Sequence, residues 1–171
     1  HETLGVLDDL VRAGKIRHVG LSNESPYGVM QFLHDAETKN LPRMQSVQTP
    51  YSLLNRTYEI GMAEISVRKE CGLLAYSPLA MGLLSGKYVG GKKPEGSRFA
   101  LFTRFTRYDN ARAQAATARY VSIAQQAGLD PAQMALAFVN QQPFVTSNII
   151  GATTMAQLKT NIASIDVKLS S

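Results

Sequence analysis

The sequence predicts a parallel α/β fold, and three observations carry that prediction. Short apolar runs alternate with longer amphipathic runs along the whole chain. The short runs, such as "LLAYS" at 73–77, are continuously apolar, as strands covered on both faces are. The longer runs begin and end on helix signals, with Ser25-Pro26 and Asp130-Pro131 at starts and Gly14, Gly72 and Gly128 at ends. Strands alternating with helices imply right-handed parallel crossovers and a helix-covered sheet.

In order, the first helix runs through "HETLGVLDDLVRAGK", with Leu4, Leu7, Leu10 and Val11 on one face. A strand over "IRHVGLSN" ends at Ser22-Asn23 and contains His18. Ser25 as N-cap and Pro26 as first helical residue open a helix through "YGVMQFLHDAETKN". A strand near "MQSVQ" is ended by Pro50, and "YSLLNRT" reads as an exposed loop. One helix is expected through "YEIGMAEISVRKE", reaching Cys71 and Gly72, followed by the strand "LLAYS". A basic loop occupies about residues 82–109. Beyond it lie an Ala-rich helix, "NARAQAATARYVSIAQQAG", a helix capped by Asp130, a strand over "TSNIIGA" and a last helix, "TMAQLKTNIAS".

Four strands fit either an open doubly wound sheet or part of a closed barrel, and periodicity does not separate the two. Spacing bears on the choice. Strand ends fall near Asn23, Gln48, Ser77 and Gly151, at intervals of 25, 29 and 74 residues. The first two suit a (β/α)8 TIM barrel, in which about 250 residues make eight units. The third holds the basic loop and an extra helix. On this spacing the chain supplies four strands of eight.

The 171 residues suffice for one domain with a sizeable core. No apolar run approaches the roughly 18 residues that span a bilayer, and nothing at the start resembles a signal peptide. No membrane association is expected. The first residue is not methionine, which agrees with a piece of a longer polypeptide. Cys71 is the single cysteine, so an internal disulfide is excluded and a reducing, cytoplasmic compartment is expected. With no histidine near it in sequence, it reads as a buried structural thiol. No Cys/His cluster has metal-ligand spacing.

The net charge of +5 is unevenly placed: Lys87, Lys92, Lys93, Arg98, Arg104 and Arg107 face one acid, Glu95. Such a run is open to three readings. It is a nucleic-acid patch with Phe99, Phe102 and Phe105 interleaved to stack on bases, a site for a small phosphorylated ligand, or a solvated loop.

In a parallel α/β fold, ligands bind beyond the carboxyl ends of the strands. Those ends offer Ser22-Asn23, Gln48, Tyr76-Ser77 and Gly151-Ala152-Thr153. Two carry side-chain amides that both donate and accept hydrogen bonds. One carries a flat ring, and the last is a glycine-led turn into a helix whose free N–H groups favour an anion. This set suits a nicotinamide dinucleotide. Asn23 and Gln48 hold the carboxamide, Tyr76 stacks on the ring, and Gly82 to Lys87 lets backbone approach the pyrophosphate. Against this, the nucleic-acid reading rests on one loop.

The segments "GKIRHVGLSN", "VQTPYSLLNR", "GLLAYSPLAMGLLSGKY" and "IIGATTMAQLKTNI" resemble the aldo-keto reductases. The likeness is greatest to the branch holding the potassium-channel β-subunits and Tas-like bacterial proteins, and it runs along essentially the whole chain. "LFTRFTRY" and "GLDPAQMALAFV" follow the same pattern. The resemblance implies a (β/α)8 barrel that binds NADP(H) in an extended form and reduces small aldehydes or ketones by hydride transfer. On it, Ser22, Asn23 and Gln48 match the carboxamide-binding residues, and Tyr76 matches the aromatic on the nicotinamide face. Ser77, Leu79, Gly82, Gly86 and Lys87 match the diphosphate loop, with Arg98 or Arg104 clamping over it. Gly151, Thr153, Gln157 and Asn161 match the segment that meets the adenosine 2′-phosphate and adenine. Thr160 and Thr49 depart from the common glutamate and asparagine at their positions.

The resemblance also implies that residues 1–171 are the C-terminal half of the barrel. The family's Asp, Tyr, Lys and His tetrad belongs to the first half, so no catalytic residue is assigned in this chain. His1 does not fill the histidine position, because no strand precedes it. The expected partners are the small carbonyl substrate and either the N-terminal half of the barrel or a second copy, since a four-strand piece has open edges. No nucleic acid or metal is expected. The alternative is a non-catalytic nucleotide-sensing or partner-binding module.

Overall fold

The structure is a computed structural model that describes residues 2–102, 104 and 107–170. His1 and Phe105, both weighed above, lie outside the described residues. Four strands, β1 (Val19–Ser22), β2 (Met44–Pro50), β3 (Gly72–Tyr76) and β4 (Val145–Asn148), form a parallel sheet in the order β1-β2-β3-β4. A doubly wound sheet reverses its strand order at a switch point, whereas this order runs without reversal, as in a stretch of a (β/α)8 barrel. Seven helices are described: α1 (Glu2–Arg12), α2 (Pro26–Lys39), α3 (Met62–Lys69), α4 (Arg98–Leu101), α5 (Ala111–Gln126), α6 (Pro131–Asn140) and α7 (Met155–Ala163). None is long and apolar enough to cross a membrane.

The chain divides into two compact units. The first runs through Thr49 and takes up Thr57–Leu74 and Pro143–Ser147; the second comprises Pro50–Arg56, Ala75–Gln142 and the chain from Asn148 onward.

In the first unit, α2 starts as its sequence dictates. Ser25 is extended, its Oγ accepts from the Gly28 N–H at 3.1 Å, and Pro26 takes the first turn. Asn40 ends the helix in the left-handed conformation, which a short polar side chain tolerates. Val29, Leu33 and Ala36, one face of α2, are buried, and so are Leu4, Met44, Val47 and Leu73. Cys71 has no exposed surface, and burial pushes its thiol pKa up. The structural thiol is as expected.

Two expectations are corrected here. The helix through "YEIGMAEISVRKE" is broken by Gly61 at φ 85, so Thr57–Glu59 forms a 3₁₀ turn and α3 begins only at Met62. Tyr58, 3% exposed, shares a 2.6 Å hydrogen bond with Ser66 and packs its ring on Phe144. His18 lies before β1 and is exposed rather than inside the strand. Within the β1–β2 ladder, Val19 pairs with Met44 but Leu21 with Val47, so two steps on β1 oppose three on β2. A Cβ on Gly20 would lie 2.7 Å from Ser46 Oγ and 3.0 Å from its carbonyl oxygen, so a larger residue at this bulge would force Ser46 to shift.

The second unit is built on Ala80, Leu83, Leu84, Tyr88, Tyr108 and Ala135, with Leu53, Leu54, Phe99 and Tyr120 packed against them. Asn110 Oδ1 caps α5 through the Ala113 N–H at 2.9 Å, and Asp130 Oδ1 caps α6 through the Gln133 N–H at 3.0 Å. The stretch "YSLLNRT" is not an exposed loop: Tyr51 and Ser52 are fully buried. Ser52 and Asn55 exchange two backbone hydrogen bonds of 3.0 Å, and the Tyr51 ring stacks on Phe138 at 5.8 Å. The region 82–109 is not a plain loop either. It carries 3₁₀ turns at Ala80–Ser85 and Val89–Gly91, and then α4. The last strand stops at Asn148, ahead of the expected Gly151; Ile149 donates to the Ala75 carbonyl at 2.8 Å, and Gly151 to Thr153 form an exposed turn.

Candidate functional site

Each unit brings together part of the predicted set. In the first, Ser22 and Gln48 are ladder partners at the carboxyl ends of β1 and β2. The next residue, Asn23, donates its backbone N–H to the Gln48 carbonyl at 2.9 Å. Asn23 then leaves the strand at φ 54, and its Nδ2 donates to Ser22 Oγ at 3.1 Å. Asparagine tolerates this left-handed turn better than most residues. The side chains of Ser22, Asn23 and Gln48 are all exposed. An exposed amide pair at adjacent strand ends offers donors and acceptors to a flat polar group.

In the second unit, the carboxyl end of β3 supports Tyr76, half-buried, whose carbonyl accepts from the Tyr51 N–H at 3.3 Å. The Tyr76 side chain is hydrogen-bonded to Arg107, and this partner raises the guanidinium pKa. Sequence reasoning counted Arg107 in the basic run but gave it no place at the site. Irregular segments carry no periodicity, so charge was legible there and position was not.

The segment after Tyr76 turns sharply. Ser77 (φ 54), Ala80 (φ 47), Met81 (φ 60), Gly82 (φ 94) and Gly86 (φ 81) all occupy left-handed backbone, and three of the five have side chains. Such backbone costs energy and persists only where its surroundings over-determine it. Here they do: Ala80, Leu83 and Leu84 are buried in the core of the unit, and Leu79 packs against it. Hydrogen bonds from Ala80 to Ser77 and from Gly82 to Leu79, both 2.8 Å, close the turns, and Ser85 Oγ donates to the Gly82 carbonyl at 2.8 Å. The segment is thereby held in place.

Lys87 folds back over this turn. A Cβ on Gly82 would lie 3.2 Å from Lys87 Cε, and Lys87 Nζ sits 5.1 Å from the centre of the Tyr88 ring. Arg98 is exposed at the start of α4, whose Phe99 packs on Tyr88 at 4.7 Å. Arg104 is exposed and lies over the Phe102 ring at 5.6 Å.

The remaining predicted residues converge on the start of α7. Thr154 Oγ1 accepts from the Gln157 N–H at 3.2 Å. Gln157 Oε1 reaches back to the Thr153 N–H at 2.9 Å and hydroxyl at 3.1 Å. Asn161, 6% exposed, donates from Nδ2 to the Gly151 carbonyl at 3.2 Å. The exposed turn is thereby fixed onto a helix N-terminus, an arrangement that favours an anion. Among the described residues, no group of three His, Cys, Asp or Glu side chains is placed to hold a metal ion.

The profile of the Aldo/keto reductase family matches residues 1–171. The chain is 57% identical over 169 residues to Protein tas of Escherichia coli (strain K12), covering 99% of this chain and 49% of that protein. It is 38% identical over 167 residues to an aldo-keto reductase of Babesia bovis, covering 94% of this chain and 59% of that one. It is 31% identical over 173 residues to a putative voltage-gated potassium channel subunit beta of Schizosaccharomyces pombe, covering 96% and 49%. The chain spans about half the length of the curated relatives it matches. A match along every residue, on a sheet whose strands run in unbroken order, leaves one assignment: this chain belongs to the aldo/keto reductase family.

Proposed function

We propose that the chain is the C-terminal half of an aldo/keto reductase barrel and carries most of the binding residues for NADP(H). The observation that carries the reading is the rigid left-handed backbone from Ser77 to Gly86 at the carboxyl end of β3. Strain of this kind, over-determined by a packed core, collects where a protein must present backbone to a ligand.

The side chains fit the cofactor part by part. The exposed amides of Asn23 and Gln48, with the Ser22 hydroxyl, suit the carboxamide of the nicotinamide. Tyr76, held by Arg107, presents a fixed ring against which a flat heterocycle packs. Ser77, Leu79, Gly82, Gly86 and Lys87 follow the diphosphate, with Arg98 or Arg104 over it. Gly151, Thr153, Gln157 and Asn161, at the helix start, take the adenosine end and its 2′-phosphate. When bound, NADPH supplies the hydride that reduces a small aldehyde or ketone. This chain's own residues bind and orient; the proton donor to the carbonyl oxygen belongs to the other half of the barrel.

Titration of NADPH fluorescence tests this, with the chain alone and within the polypeptide its gene encodes. Saturable binding is expected in both, and carbonyl reduction only in the longer polypeptide. Robust aldehyde reduction by the 171-residue chain, or no nucleotide binding by either form, refutes the reading.

A further inference from the structure

Helix α6 is buried along most of its length, with Ala132, Met134, Leu136, Ala137 and Val139 all covered. It ends at Asn140, and β4 ends at Asn148. Both asparagines are half-buried. Amides in such places are costly unless they are paired.

They pair with each other. Asn148 Nδ2 donates to Asn140 Oδ1 at 3.0 Å. Asn140 Nδ2 donates to Ser164 Oγ at 3.3 Å. Ser164, 3% exposed, donates that hydroxyl to the Asn161 carbonyl at 2.6 Å. Asn161 Nδ2 in turn donates to the Gly151 carbonyl at 3.2 Å. Each member donates to the next, and bonds aligned in this way polarise and strengthen one another. The run leaves the end of β4, passes through α6 and the end of α7, and returns to the turn three residues after Asn148. Gln157 holds the other side of that turn through Thr153.

Asn148 Oδ1 is buried with no donor among the described residues. Such an acceptor lowers stability, so stability alone does not explain an amide at this position. What the run does is fix Gly151, the first residue of the exposed turn that leads into α7.

We propose that Asn140 and Ser164 are positioning residues for the nucleotide: through Asn161 they set the Gly151 carbonyl, and so the turn that meets the adenosine 2′-phosphate, and thereby the preference for NADPH over NADH. The inference rests on the cofactor reading above and adds two residues that no strand end or loop motif marks.

The test uses the polypeptide its gene encodes, with Asn140→Ala and Ser164→Ala as variants and Gln141→Ala as control. Gln141 exchanges hydrogen bonds of 3.3 and 3.1 Å with Leu169, so its removal loosens the same end of α6 without touching the run. The ratio of the NADH to the NADPH dissociation constant should fall about threefold or more in Asn140→Ala and Ser164→Ala, the worth of about one hydrogen bond, with NADH affinity unchanged. In Gln141→Ala the ratio should stay at the parent value. Without nucleotide, the Thr153 amide should exchange its hydrogen about threefold faster or more in the first two variants. The parent ratio retained in Ser164→Ala, an equal fall in Gln141→Ala, or unchanged Thr153 exchange overturns the proposal. If Asn140→Ala does not fold, Ser164→Ala decides. A parent that binds no nucleotide overturns the cofactor reading as well, whereas NADPH binding with an unmoved ratio overturns this proposal alone.

Discussion

Replacing Gly82 with alanine adds a methyl group to backbone at φ 94 and ψ 2, where the new Cβ meets Lys87 Cε at 3.2 Å. The left-handed conformation costs a side-chain-bearing residue about 1–2 kcal/mol. The contact itself is with the far end of an exposed, flexible side chain, so Lys87 swings away at little added cost to folding. For a chain of this size, each kcal/mol lowers the melting temperature by about 2–4 °C, so a fall of about 3–6 °C is expected. Displacing the ammonium removes an exposed charge contact worth about 0.5–1 kcal/mol, which weakens NADPH by roughly two- to fivefold. Thermal denaturation and NADPH titration read the two effects separately. Met81, at φ 60, supplies the reverse experiment. Met81→Gly relieves about 1–2 kcal/mol of backbone strain but adds about 0.5–1 kcal/mol of unfolded-chain entropy and removes a partly buried side chain packed on the core, so stability should hold or fall slightly. A Gly82→Ala protein that melts within 1 °C of the parent and binds NADPH equally well refutes the argument that this turn is strained and close to the ligand.

Thr154→Ala removes the N-cap of α7 and frees the Gln157 N–H, costing about 1 kcal/mol in urea denaturation and weakening NADPH more than NADH. Arg107→Gln deprives Tyr76 of its charged partner and should weaken NADPH about threefold, a loss of about 0.5–1 kcal/mol, with little change in melting temperature. The pKa values of Cys71 and Tyr58 are both raised by burial. In the unfolded chain these groups lose their protons first, so their contribution to stability is complete below about pH 9 and declines as pH rises through the folded-state values. Urea midpoints should therefore drop progressively above pH 9, and Tyr58→Phe should flatten the upper part of that decline while lowering the midpoint at pH 7, because the Ser66 hydroxyl loses its partner.

Features set by local chemistry were legible in the sequence. Ser25-Pro26, Asn110 and Asp130-Pro131 mark helix starts because a cap acts on amides two or three residues away. Asn23, Gln48 and Tyr76 lie at strand ends because short apolar runs and their stop residues mark where β1, β2 and β3 finish. Features set by distant contacts were not. The polar residues of "YSLLNRT" read as a loop, yet Phe138, far along the chain, covers Tyr51. Ile149 and Ile150 extend the apolar pattern past Asn148, but the strand stops and they stand 40% and 36% exposed. Gly61 sits in a run of helical periodicity, and only the φ of 85 reveals that the helix starts anew after it. The left-handed turns at Ala80 and Met81 had no signal at all, since neither residue type favours them.

The irregular pairing at Gly20 sets the phase of everything downstream on β2. In simple alternation, Met44 inside would put Ser46 and Gln48 inside as well. The extra residue shifts the count by one, so that Met44 and Val47 point inward and Gln48 faces water. Ser46 is thus one residue more than simple alternation can hold, and the step at Gly20 absorbs it. A chain lacking Ser46 would alternate regularly, with Met44 and Val47 still inside and Gln48 still outside, and would not need the glycine.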